Sequence, residues 1–405
     1  MVANESFFQR KQAAAVLKHG ILARYPLIFA TMTGSQTGRV VYFDGYAGPG
    51  RYEDGSPGSP LLAVRSAART ATWGRTVTCF FCEKDMDYFT DLQRVLEEEA
   101  PAELKYETWW GDVSQWAPVA LREAGTDPMI TLLDPFGSDL SYELLTGGLL
   151  ARPSRHATEV ILNLNLESVW RTGGYLTSPK KIPGSAAALA RLDRFFGDDW
   201  WRDKFKAARE SGTDAAAAAA AWSVASEFCQ RVRAATGFSS FVVPVRRRPS
   251  HPPLFMLVLF YRHPYAPWKF NHAVSKANRE WRLACLEADL DKEASRLASA
   301  PEGLFDTAES IRAQHDRQRR EWESQEKSLE SSWAQEIAAN LQKMIGERSE
   351  MNLTNEAAAV FGATLGLARD THVNRAWDQL ARDGVVTERP RNQRLERAIL
   401  RRPRA

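Results

Sequence analysis

Four carboxylates stand where chemistry would be done. Asp44 closes VVYFD, Glu83 closes FFCE, Asp112 follows the WWG of WWGDVSQW, and Asp134 follows LL in LLDPFG. The runs before Asp44, Glu83 and Asp134 are apolar enough to be buried strands, and Asp112 ends a third region between them, so each acid is read as the point where a strand leaves a sheet. A lone acid there is most simply a strand-end cap. Four at successive strand ends favour one shared site. A carboxylate in the Glu83 position can take both hydroxyls of a ribose, and one in the Asp112 position, after Gly111, can hold an adenine amino group.

The stretch after the first run, DGYAGPGRYEDGSPGSPLL, narrows the ligand. Gly45, Ala47, Gly48 and Gly50 make a small-residue loop in which glycine permits positive φ and close backbone approach, and Pro49 stiffens it. Asp44 at its root repels phosphate. A dinucleotide or nucleoside-triphosphate site would present bare amides at a helix N-terminus, and no Gly-Lys-Ser/Thr occurs. An acid suits a ligand with an ammonium and a sulfonium, which describes S-adenosylmethionine. Ser59, held extended by Pro57 and Pro60, can donate to that ligand's carboxylate or cap the helix LLAVRSAAR, and the two roles are compatible. Lys18 and His19, on a predicted N-terminal helix, read either as a solvated surface pair or as part of the site.

The elements that must position these residues alternate between apolar runs and helical segments: RVVYFDGYAG, VTCFFCEKD, MITLLDPFG and TEVILNLNL. This is the pattern of an α/β fold with a parallel sheet. SSFVVPVRRR and LFMLVLFYRHP are separated only by PSHPP and predict an antiparallel edge hairpin, the usual ending of a Rossmann-like class I methyltransferase sheet. The expected organisation is a Rossmann-like domain over 1–165 and 236–300, a helical insertion over 166–235 able to act as a lid, a helical linker over 301–346 and a winged helix over 347–405.

With 405 residues, 44% of them hydrophobic, the chain can bury a large core. MVANESFFQRKQ lacks the apolar segment of a signal peptide and no run approaches a membrane span, so a cytoplasmic location and no membrane partner are expected. Four cysteines are too few for a disulfide framework. Cys79 and Cys82 lie three apart on a strand and point to opposite faces, which argues for buried thiols and against a metal site.

The net charge of +3 conceals an asymmetry. From Thr371 onward there are nine arginines, no lysine and four acids, a local +5, so the rest of the chain carries −2. In that region Val373, Ala376, Trp377 and Leu380 fall at helical spacing and face a core, with Asp370 or Thr371 as N-cap and Gly384 past the C-terminus. Arg375 and Arg382 point outward, followed by Arg391 and Arg394 around RPRNQR. This surface suits nucleic acid or a docking protein. Arg246, Arg247 and Arg248 begin the hairpin loop; with Arg171, Lys180 and Lys181 they can hold a phosphate backbone, or they form an ordinary polar loop.

AAVLKHGIL, DGYAGPGRY, GSPLLA and LLDPFG resemble, in order and character, the 23S rRNA adenine-N6 methyltransferases over the first ~165 residues. The whole chain, with FYRHPYAPWKFNHAVSKANREW, resembles more closely the bacterial three-Cys-motif partner proteins, named for the product of a neighbouring gene. The resemblance implies that His19, Ser59, Glu83, Asp112 and Asp134 surround an S-adenosylmethionine cofactor, with Lys18 at the mouth. It also implies catalytic positions at Asp134, Pro135 and Phe136. The usual motif is Asp/Asn-Pro-Pro-Tyr/Phe; here the aromatic comes one position early and Gly137 replaces the stacking residue. The ring that holds a base must then come from a shifted backbone or from Trp170 or Tyr175. The functions left open are methyl transfer to a base amino group, adenine N6 among them, and a non-methylating accessory that binds a partner protein and nucleic acid.

Overall fold

A computed structural model describes residues 13–135, 137–178, 182–209, 213–298, 308–346, 348–390 and 393–403. Phe136, Lys180, Lys181 and Arg391 lie outside the described residues. Two compact units divide at Met1–His263 and Pro264–Ala405.

The first unit is built on one sheet of β1 (Arg39–Asp44), β2 (Thr76–Glu83), β3 (Tyr106–Trp110), β4 (Met129–Leu133), β5 (Thr158–Asn165), β6 (Ser239–Val245) and β7 (Phe255–Tyr261). Its order is β3-β2-β1-β4-β5-β7-β6. The first five strands are parallel, and β7 runs antiparallel between β5 and β6. This is the Rossmann-like class I methyltransferase sheet predicted from the alternation of runs. β3 is the strand that the runs do not reveal, because YETWW is an edge strand with only Trp109 buried.

Helices cover both faces, which is why the central strands are apolar on both sides. On one face lie α1 (Ala13–Leu22), α2 (Tyr25–Thr37), α3 (Ser59–Ala71) and α4 (Met86–Glu99). On the other lies α5 (Val113–Ala124), together with α6 (Leu166–Gly174), α7 (Ser185–Phe196), α8 (Trp200–Ala208) and α9 (Asp214–Thr236). Phe195, Phe196, Trp201, Phe205 and Phe228 from these last helices share one core with Val41, Phe43, Leu133 and Leu162 of the sheet. The segment read as an insertion therefore forms the second helical layer. All four cysteines are buried, and burial pushes the Cys79 and Cys82 thiols up.

In the second unit, α10 (Ala266–Ala298) presents Asn271, Ser275 and Asn278 from one face, bonding to the carbonyls of Ala368, Leu367 and Gly366. This explains why the unit begins at Pro264, although the sequence reading carries the first domain to 300. α11 (Ala308–Ile345) covers the predicted linker, but Trp333, Ile337, Leu341 and Ile345 form a stripe every fourth residue that is buried in the second core. Then come β8 (Glu350–Asn352), α12 (Ala357–Phe361), α13 (Asp370–Arg382) and β9 (Ile399–Arg401), with β8 and β9 antiparallel. Val373, Ala376, Trp377 and Leu380 are buried as their spacing requires. The N-cap is Arg369, since Asp370 is already helical, and Gly384 follows the helix at φ 73°. Among the described residues no helix is long and apolar enough to cross a membrane.

Candidate active site

Strand order reverses between β1 and β4, which opens a crevice at their carboxyl ends where open α/β sheets bind ligands. Asp44 is the last residue of β1, Glu83 the last of β2, Asp112 follows β3 by two and Asp134 follows β4 by one. Parallel strands put all four acids at one edge.

Asp44 is fully buried. Burial pushes its carboxyl up to about 7, against the Ser59 side chain and the Tyr46 N–H, which favour the ionised form, and with help from the nearby Asp134 and Glu83 charges. Ser59 is the first residue of α3 and Gly58 its N-cap, so the hydroxyl serves Asp44 and not the helix end. Gly58 is needed for close approach: a Cβ there would lie 2.8 Å from the Gly50 carbonyl oxygen. Through this contact, and a bridge from Arg51 to Pro57, the loop after β1 folds back as a small hairpin.

Glu83 ties that loop to β2. Its Oε2 accepts the Gly48 N–H at 2.8 Å and its Oε1 the Asp85 N–H at 2.8 Å, and the Ala47 N–H reaches the Cys82 carbonyl at 2.9 Å. Each carboxylate oxygen keeps a lone pair for a ligand. Gly48 sits at φ 66° with open space where a side chain would be. Asp112 is the N-cap of α5: its Oδ1 accepts the Ser114 N–H and hydroxyl, and the Gln115 side chain accepts the Asp112 N–H in a capping box. Gly45, Tyr46, Glu83, Gly111, Asp112 and Val113 line one cleft.

Lys18 and His19 are not solvated; they are 7% and 4% exposed. Lys18 Nζ donates to Asp134 Oδ2 at 2.5 Å. Burial alone would lower the lysine, but the Asp134 carboxylate, with Tyr52 and Asp44 close by, holds it above the ordinary lysine value. His19 Nε2 and the Tyr52 hydroxyl are 2.9 Å apart. Asp134 Oδ1 accepts from Asn163 Nδ2 at 2.6 Å. Val41, Phe43, Leu133, Leu162 and Leu164 belong to the other core, so the alternating Asp44, Asp134 and Asn163 face the α1 layer. Pro135 is buried behind Asp134, and Gly137 follows at φ 79°.

Sequence reasoning missed Tyr52, Asn163 and a clasp in which Lys84 ion-pairs with Asp139, whose carbonyl accepts the Tyr46 hydroxyl at 2.8 Å. Asn163 interrupts an apolar run at a strand end, a signal that was available. Trp170 is half-buried against the second-layer core, which makes it a packing residue. β6 runs parallel to β5, so Arg246, Arg247 and Arg248 begin at the same edge as the acids, three strand spacings, roughly 14 Å, from β4. In the second unit Arg375, Arg382 and Arg394 are exposed, and Arg375 lies 3.8 Å from Glu330. Among the described residues no cluster of His, Cys, Asp or Glu could hold a metal.

No family model matches the chain. No curated protein matches it either. Among solved structures, the methyltransferase domain of bacterial CtHen1-CN is similar at 11% identity and a TM-score of 0.30, over 60% of this chain and 100% of that one. The apo-form of mycolic acid cyclopropane synthase CmaA1 is similar at 9% identity and a TM-score of 0.21, over 54% and 80%. Likenesses this distant say nothing of chemistry, and the fold assignment rests on the strand order itself.

Proposed function

We propose that the chain binds S-adenosylmethionine at the β1–β4 crevice and methylates an amino group on a nucleic-acid base. The observation that carries this reading is the convergence of Asp44, Glu83, Asp112 and Asp134 on one edge of a sheet ordered β3-β2-β1-β4-β5-β7-β6. The residues fit the cofactor. Glu83 keeps lone pairs for a ribose diol, Asp112 lines the same cleft where an adenine amino group would lie, Gly48 leaves room beside them, and the buried Asp44 favours a cation over a phosphate. When bound, the cofactor supplies an electrophilic methyl group on a sulfonium.

The protein's own part is positioning. Lys18 and Asn163 hold Asp134 from either side, so its remaining lone pairs can accept from an incoming amine without the carboxylate turning away. The exposed Arg375, Arg382 and Arg394 of the second unit, which we read as a winged helix, and the arginines after β6 suit a phosphate backbone. The resemblance to three-Cys-motif partner proteins supports a second reading, in which the fold is a non-methylating accessory to a neighbouring gene's product. Incubation with methyl-labelled cofactor and separate DNA, tRNA and rRNA pools, followed by nucleoside analysis, decides between them. Label in one nucleoside is expected. No label in any pool overturns the enzymatic reading.

A further inference from the structure

The segments that follow β2 and β4 meet, although β1 lies between those strands. Lys84 directly follows β2 and Asp139 lies beyond Asp134 in the segment after β4, and the sheet order sets the two strands two spacings, roughly 10 Å, apart. Their side chains nevertheless form an ion pair. The contact therefore passes over the carboxyl end of β1, at which Asp44 stands.

A second contact fixes the same crossing. The Tyr46 hydroxyl, from the loop after β1, donates to the Asp139 backbone carbonyl at 2.8 Å. Tyr46 and Lys84 both line the cleft that holds Glu83 and Asp112, so Asp139, which belongs to neither of their loops, joins two of its walls. The Trp110 indole N–H donates to the Lys84 carbonyl at 3.2 Å, which ties the lysine backbone to the edge strand and leaves its side chain as the movable part. The pair is well exposed, Lys84 at 49% and Asp139 at 38%. An ion pair in such a setting is weak and screened by salt, so it can break while the fold around it stays intact.

A ligand with its adenine at Asp112, its ribose at Glu83 and its cationic end toward Asp44 runs along the edge from the end of β3 to the end of β1. The line from Lys84 to Asp139 crosses that path. We propose that Asp139 is a positioning residue that straps the segment after β4 across the cofactor crevice, so that the ligand enters while the strap is open and is held beneath it once it closes. The strap rests on the cofactor reading and holds whatever the methyl acceptor is.

Stopped-flow binding of S-adenosylhomocysteine to the full chain tests this. A strap that is closed in both the free and the bound chain slows entry and exit alike. Asp139→Ala removes the carboxylate but keeps the carbonyl that Tyr46 uses, and association and dissociation rates should both rise by about threefold to fivefold, with Kd changed by less than about twofold. Salt supplies a second readout, because the probe carries no net charge. Raising it to about 1 M should speed both rates of the wild type toward those of the variant and leave the variant's own rates as they were, a response that a residue merely supporting the fold does not give. Unchanged rates in Asp139→Ala, a rise in dissociation alone, or equal salt responses in the two chains overturn the strap and leave the cofactor reading standing. Failure of the wild type to bind overturns both. Should Asp139→Ala not fold, Lys84→Gln carries the same expectation of a rise in both rates and the same decision.

Discussion

Lys18 Nζ and Asp134 Oδ2 are 2.5 Å apart across 116 residues of sequence, and their contact pins α1 to the tip of β4. The lysine is buried and the acid only partly so. Removing one partner therefore leaves a charge that the other no longer compensates.

Lys18→Met should destabilise the protein by about 2 kcal/mol, the usual worth of a hydrogen bond to a charged group. Asp134→Asn in the same background should cost less than it does alone, because the two residues act as one unit. A double-mutant cycle from urea unfolding reads the coupling. Strict additivity would mean that the pair contributes nothing to stability.

Glu83→Ala removes a ribose acceptor and also the anchor of the Gly48 and Asp85 amides. Cofactor affinity should fall by more than tenfold, beyond the loss of one charged hydrogen bond. Hydrogen exchange at Gly48 should accelerate in the same variant. Wild-type affinity with wild-type exchange would remove Glu83 from both roles.

Asp44 titrates near 7 in the folded chain against about 3.8 when unfolded, because it is buried. The native state thus binds the extra proton between these values, so the contribution of Asp44 to stability is greatest below pH 4 and is lost as pH rises through 7. The slope from Asp44 should approach about 1.4 kcal/mol per pH unit in mid-window. Urea midpoints of wild type and Asp44→Asn from pH 4.5 to 7.5 should diverge in this sense; parallel curves would show that Asp44 stays ionised.

If the exposed arginines of the second unit bind phosphate, Arg375→Gln, Arg382→Gln and Arg394→Gln together should make the slope of log affinity against log salt shallower by about 2 to 3. Substitution is the sound test here. Deletion from Met351 onward would uncover Ile337, Leu341 and Ile345, which share a core with Leu353, Phe361 and Trp377. An unchanged slope favours protein docking.

What was legible in the sequence follows from local periodicity. Buried strands between two helical layers must be apolar on both sides, so β1, β2, β4 and β5 announce themselves, and a short Pro-rich link between two further runs requires a hairpin. The acids are visible because they interrupt those runs at their ends. The buried face of α13 is visible because 3.6-residue spacing selects it. β3 stays hidden because an edge strand buries too little to be apolar, and the stripe of α11 is diluted by the charged residues around it.

The amino-acid sequence by itself determined the α/β class, the buried strands β1, β2, β4 and β5, the edge hairpin and the acids that follow the apolar runs, since each depends on residues within a few positions of one another. Only the tertiary structure decided how those acids are used. Lys18 meets Asp134 across 116 residues, Tyr52 meets His19 across 33 and Asn163 meets Asp134 across 29, contacts that exist because parallel strands bring their ends to one edge and a helix folds over them. Burial then set the charges: it raised Asp44, and it left Lys18 a cation because Asp134 lies beside it. Neither a spacing nor a composition carries that information, because desolvation and Coulomb energy depend on distances between groups that the chain keeps far apart until it folds.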